Sequence, residues 1–236
     1  MAKFHIIACH VLWRELCYFA ALSENSFTFH FLKQGLHNTP DLLRPELQQA
    51  INSADGDSSA ILIGYGLCCN GLDGIQARDK KLVIMRGHDC FTFLLGSKAR
   101  YQKHFDENPG TYWYSPGWID VVDMPGEERY NKLLAEYCEK YGVENAAYLM
   151  GMEQDWIGKY SQAAYVDLDL GETQKYKTFT RQCADFLKWR YLELKGDSVL
   201  IRNFLDGNWP EDDFLIVEPG ETVTASHDER IIKIKK

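Results

Sequence analysis

The sequence predicts an α/β protein: a single compact domain over residues 1–236 with a mostly parallel sheet flanked by helices and its site at the carboxyl ends of the strands. Two observations carry this. Short apolar runs alternate with helical stretches, the sequence form of repeated strand and helix units. A hydrophobic content of 45%, with 13% aromatic and 25% charged residues, is that of a folded globular chain long enough to bury a substantial core. No repeat of fixed period, low-complexity tract or linker divides it.

FHIIA (Phe4–Ala8) is the first strand, and CHVLWRELCYFAAL follows it with Val11, Leu12, Leu16, Phe19 and Ala20 at helical spacing. Ser26–Leu32 reads as the second strand. Thr39 is expected to cap a helix with Pro40 at its first position and Pro45 near its first turns. AILIG (Ala60–Gly64) and LVIM (Leu82–Met85) are two further strands of one sheet, each expected to lead into a helix: NGLDGIQAR after the first, FTFLLGSKARYQKHF after the second. PGTYWYSPGWIDVV reads as a loop or strand at a rim, Glu127–Tyr141 as a helix, NAAYLMG and SQAAYVDLD as strands, and Thr173–Trp189 as a long amphipathic helix. DDFLIVEPGETVTA adds a strand closed by a Pro-Gly turn, and RIIKIKK a last strand with a solvated end.

A net charge of -8 repels phosphate backbones, and no basic stripe precedes the terminal Arg230–Lys236, so nucleic acid is not expected as a partner. No apolar run approaches the roughly 20 residues needed to cross a bilayer, and the first residues lack the pattern of a signal peptide; the expected location is the cytoplasm, with no membrane partner. Seven cysteines are an odd number in a chain too large to need staples, and a reducing cytosol keeps them as thiols.

In parallel α/β sheets, ligands gather beyond the carboxyl ends of the strands. Cys9 and His10 follow the first strand, Cys68 and Cys69 follow AILIG, and His88, Asp89 and Cys90 follow LVIM, so three parallel strands would bring three thiols to one edge. Converging thiolates are what zinc or an iron-sulfur cluster requires, with imidazole as a further ligand. Cys9, Cys68, Cys90 and His88 are therefore the candidate metal ligands. Gly64, Gly66 and Gly71 would let the backbone approach the bound group, and Tyr65 and Gly66 are candidate binding residues. The competing reading is burial, since free cysteine packs as a small hydrophobe; Cys17, Cys138 and Cys183, inside helical stretches, are assigned to the core. A thiol nucleophile activated by His10 or His88 is a third reading.

Asp89 is a candidate general base or a helix N-cap. Glu153 and Asp155 follow NAAYLMG and would face the same cleft, which makes Glu153 the second candidate catalytic carboxylate; solvated loop charges are the plainer account. Tyr112, Trp113, Tyr114 and Trp118 would wall a small ligand or simply pack, with Trp113 taken as a binding residue. GxxxxGK[ST], GxSxG and HExxH are absent, and GYGLCCNG is no dinucleotide fingerprint.

The blocks IIACHVLWREL, GYGLCCNGL, HDCFTFLLGS, PGTYWYSPGW and FLDGNWPEDDFLIVEPGETV, in that order, resemble the family of unknown function numbered 1638 over nearly the whole chain. The resemblance implies a cytoplasmic protein of anaerobic bacteria or methanogenic archaea, often encoded beside corrinoid-dependent methyltransferases. It implies a role in one-carbon metabolism as an enzyme or accessory factor, with a corrinoid protein or methyltransferase as partner. By position it singles out Cys9, Cys68, His88, Asp89 and Cys90. The chain departs from the family pattern at Cys69, where a small or polar residue is implied.

Overall fold

The computed structural model describes all residues except 34, 37–39, 55, 69 and 236, so the expected Thr39 cap and Cys69 lie outside the described residues. The α/β class holds, with mostly parallel strands. Residue contacts divide the chain into two compact units, Met1–Tyr101 with Gly196–Lys236, and Gln102–Lys195. The expected single sheet is replaced by a separate sheet in each unit and a short terminal hairpin.

The first unit begins with β1 (Lys3–Cys9), a single 3-10 turn (His10–Leu12) and α1 (Trp13–Ala20), followed by β2 (Ser26–Leu32) and α2 (Pro40–Asn52). Next come β3 (Ala60–Gly64), β4 (Leu82–Met85), α3 (Cys90–Leu94) and α4 (Lys98–Glu107), within which the first unit gives way to the second. Every residue of β3 and β4 is buried, as strands covered on both faces must be. The expected long helix after β4 is two helices because Gly96, at φ +71, turns the chain between them. Nor is there a helix in residues 70–78: Asn70 and Gly74 sit at positive φ, and the segment turns until Gln76 bridges to Thr222.

The second unit holds β5 (Thr111–Tyr114), α5 (Pro116–Val121), α6 (Glu127–Tyr141), α7 (Val143–Gln154), β6 (Gln162–Asp167), α8 (Thr173–Leu187) and β7 (Arg190–Lys195). NAAYLMG, expected as a strand, lies in α7. The chain then returns to the first unit for α9 (Val199–Asp206), β8 (Phe214–Val217), β9 (Val223–Ala225) and β10 (Ile232–Ile234).

The first sheet has the order β2-β1-β3-β4-β8, with β1 to β4 parallel and β8 antiparallel at the edge. The chain moves from β1 to β2 in one direction and then to β3 on the other side of β1. Right-handed crossovers therefore place α1 and α2 on opposite faces, and the order reverses between β1 and β3. Arg86, 3% exposed, follows β4 and fastens the terminal hairpin to it. Its Nε donates to the carbonyls of Glu211 (2.9 Å) and Phe214 (3.2 Å), and its Nη1 to those of Arg230 (3.0 Å) and Ile232.

The second sheet, β5-β6-β7, is wholly parallel. Its core gathers Tyr114, Met124, Tyr165, Tyr176, Cys183 and Trp189.

Candidate functional site

β1, β3 and β4 end side by side, and the loops that leave them carry the candidate residues. Beyond the last strand residues the loops after β3 and β4 stay paired, Leu67 N donating to Gly87 O (2.8 Å) and Cys68 N to His88 O (3.0 Å). Gly66 permits this approach, since a Cβ there would stand 2.7 Å from the Cα of Asp89. Immediately after, Cys68 at φ +42 and Asn70 at φ +67 turn the chain away, and the turn is closed by Gly71 N donating to Leu67 O and Cys68 O. Cys68 is thereby fixed beside the loop that holds Cys90.

The three thiols meet. Cys90 is buried close to Cys68 and Cys9, and their influence, with the cost of burial, holds its thiol well above the ordinary thiol range. Cys9 moves the other way: the Cys90 S–H lowers it first, and against the cost of burial the Val11 N–H and the Tyr65 hydroxyl lower it further. Tyr65 is 1% exposed, and burial followed by the neighbouring sulfurs keeps its phenol protonated. Its hydroxyl finds no partner of full hydrogen-bond geometry, although Cys9 faces it.

Asp89 serves as the N-cap of α3, its Oδ1 accepting from Phe91 N (2.9 Å) and Thr92 N (3.3 Å), while its Oδ2 accepts from the Tyr101 hydroxyl (2.6 Å). Burial raises this carboxyl above its usual range, against those three donors. Burial and then the Asp89 charge raise Tyr101 in turn. Nothing in the spacing of the sequence links Tyr101 to Asp89, because the helix expected to join them is broken at Gly96. His88 is exposed, its ring 6.4 Å from that of Tyr101.

The other candidates lie in the second unit. Trp113 is half-buried on β5 with its ring 4.9 Å from His104. The strand expected to present Glu153 is α7, and there the carboxylate is ion-paired with Arg129, itself over the Trp156 ring. Asp155 is the C-cap of the same helix. Tyr112 and Tyr114 stack edge to face, and Tyr112 also meets Tyr160 and Trp189, so the aromatic group is packing within this unit. Of the cysteines assigned to helical cores, Cys183 is buried while Cys17 and Cys138 are half-buried.

Among the described residues no group of three or more His, Cys, Asp or Glu side chains is arranged as a metal-ion site. The fold and site define an α/β protein with a buried thiol group at the switch point of a mostly parallel sheet. That site lies within or beside a match to a known family: residues 31–205 match the family model described as Protein of unknown function (DUF1638). The chain belongs to this family. No curated protein and no solved structure matches it. No helix among the described residues is long and apolar enough to cross a membrane.

Proposed function

We propose that the first unit carries a thiolate metal centre, zinc or iron-sulfur, on Cys9, Cys68 and Cys90. One observation carries the reading: three adjacent parallel strand ends, β1, β3 and β4, send out the loops that carry Cys9, Cys68 and Cys90, and the loops after β3 and β4 stay paired through Leu67 N to Gly87 O and Cys68 N to His88 O. A buried S–H···S contact between thiols is weak, and a soft cation would replace those protons with stronger bonds. Three protein ligands leave a coordination position open, and a metal there would supply Lewis-acid or electron-transfer chemistry. Cys9, beside the Val11 N–H, would be the readiest ligand, and Tyr65 would donate to a sulfur or to a small ligand at the open position. Asp89 is committed to capping α3 and to Tyr101, so it orients Cys90 rather than serving as a ligand.

The resemblance extends the proposal to biology: a cytoplasmic enzyme or accessory factor in anaerobic, corrinoid-linked methyl metabolism, partnered by a corrinoid protein or methyltransferase. Elemental analysis and an absorption spectrum on protein purified without oxygen test the centre. About one zinc per chain, or iron with sulfide and a brown colour, is the expected result, lost in Cys90→Ser while the fold persists. A folded, colourless, metal-free protein that also fails to take up zinc or cobalt overturns it.

A second reading has its own observation, the lowered Cys9 thiol. Without metal, Cys9 would act as a nucleophile, and mass spectrometry of metal-free protein treated with a small alkylating agent would then find Cys9 modified although it is buried.

A further inference from the structure

The outer edge of the first sheet is β2, whose sequence SFTFHFL contains no Asp, Glu, Lys, Arg or Pro. Natural edge strands are usually protected by a charge, a proline, a bulge or a covering segment. This one carries alternating phenylalanines instead. Phe29 and Phe31 stack with centroids 5.5 Å apart and planes 13° apart, Phe27 and Phe29 lie 6.1 Å apart, and Phe29 is 37% exposed.

The register shows which backbone groups are open. β2 runs parallel to β1 with Ser26 opposite Lys3, and Ser26 N donates to Ala2 O (2.9 Å). A residue's N–H and C=O point to the same side of a strand, and the side alternates with each residue. Ser26, Thr28, His30 and Leu32 therefore face β1, while the N–H and C=O of Phe27, Phe29 and Phe31 point outward. Among the described residues no backbone group accepts or donates to them.

We propose that β2 is a dimerisation edge, pairing antiparallel with β2 of a second copy about a two-fold axis at Phe29. The segment F-T-F-H-F is symmetric about Phe29 in its aromatic positions, as a self-complementary contact requires and as pairing with an unrelated strand would not. Antiparallel pairing about that axis sets Phe29 against Phe29, and Phe27 against Phe31 of the second copy. Each pair exchanges both of its backbone hydrogen bonds, so every outward group finds a partner. The phenylalanines of both copies then form one ladder on one face, and Thr28 faces His30 of the second copy on the other. Charge agrees with the register. The strand is uncharged in a chain of net charge -8, and the exposed Glu24 comes within one register step of Lys33 of the second copy.

Sedimentation of the full chain at about 100 µM tests this against Phe29→Lys, Phe29→Glu and Phe29→Pro. Proline removes only the outward N–H of position 29, so the β1 ladder is preserved and circular dichroism is expected to stay unchanged. The expected result is a wild-type dimer that each variant weakens at least about tenfold, as a lost hydrogen-bonded pair or two like charges across the axis would do. Mixing the Phe29→Lys chain with the Phe29→Glu chain is expected to restore the dimer, which only a contact of position 29 with itself can do. A monomeric wild type, a dimer indifferent to all three changes, or a mixture that stays monomeric each overturns the proposal.

Discussion

The two sheets are built alike and end differently. Both present the carboxyl ends of parallel strands, the first at Cys9, Gly64 and Met85, the second at Tyr114, Asp167 and Lys195. At the first edge, the buried Cys9 and Cys90 lie beside a buried Tyr65 hydroxyl of unfilled hydrogen-bonding capacity. At the second, the buried Asp167 takes Lys177 at 2.6 Å, and the same ammonium reaches Glu193 at 2.6 Å. Those charges complete one another. A closed ion-pair network holds a fold together and asks for nothing further, whereas weakly paired thiols in a buried site are poised for a better partner. The comparison places the proposed chemistry at the first edge and leaves the second to architecture.

The largest effect that would sharpen this contrast is expected at Arg86. Arg86→Met removes the donor from four carbonyls, of which those of Phe214 and Ile232 are buried, and should cost about 3 kcal/mol, as losing charge-assisted hydrogen bonds to buried acceptors does. Hydrogen exchange resolved along the chain is the measurement: protection should fall in β4, β8 and β10 and hold in β5, β6 and β7. An equal loss in both sheets would show that the two units unfold as one. Next comes Gly66→Ala. Its Cβ meets the Asp89 backbone at 2.7 Å, so the loops after β3 and β4 must separate, at about 1–3 kcal/mol. Metal uptake should fall with it although no ligand is touched, and uptake at wild-type level in a destabilised variant would detach Cys68 from the centre.

How much of this was legible depended on burial. β3 and β4 are legible because every residue in them is apolar and buried, β1 through its FHIIA run and β2 through its alternating phenylalanines, and the thiols after three of these strands mark the loops that the strand order sets side by side. NAAYLMG was misread because a short apolar run shows no period that separates a strand from a helix; in α7 only Ala146 and Met150 are buried, one helical turn apart. β7 escapes a sequence reading for the opposite reason: RYLELK is charged at a sheet edge, with half of its residues exposed and none buried. Residues 70–78 looked helical but contain Asn70 and Gly74 at positive φ, which periodicity does not register. The link from Tyr101 to Asp89 is purely tertiary.

At the second edge, Lys177→Met keeps the stem and removes the charge between Asp167 and Glu193. The expected cost is about 1–2 kcal/mol, moderate because Glu193 remains partly solvated. Asp167, followed by Glu193, raises Lys177 above the ordinary lysine value. Its contribution is thus fully present below that ordinary value and lost as pH rises through the raised one, so urea midpoints of the variant and wild type should converge at high pH. A difference that persists there would make the contact one of packing.

The smallest effect concerns the buried thiol of the second unit, the counterpart of those at the first edge. Cys183 lies against Gly126, its Sγ 2.7 Å from where a Cβ would stand, and burial pushes it up to about 11 despite the opposing influence of the nearby Tyr114 hydroxyl. In the unfolded chain this thiol ionises near its ordinary value, while in the fold it stays protonated. The folded state therefore holds the extra proton between those two values, and stability falls as pH rises through that window, by at most about 1.4 kcal/mol per unit. Cys183→Ala should flatten that part of the profile relative to wild type without altering metal content. If metal content changed instead, sulfur chemistry would extend to both units, and the division drawn between the two edges would fail.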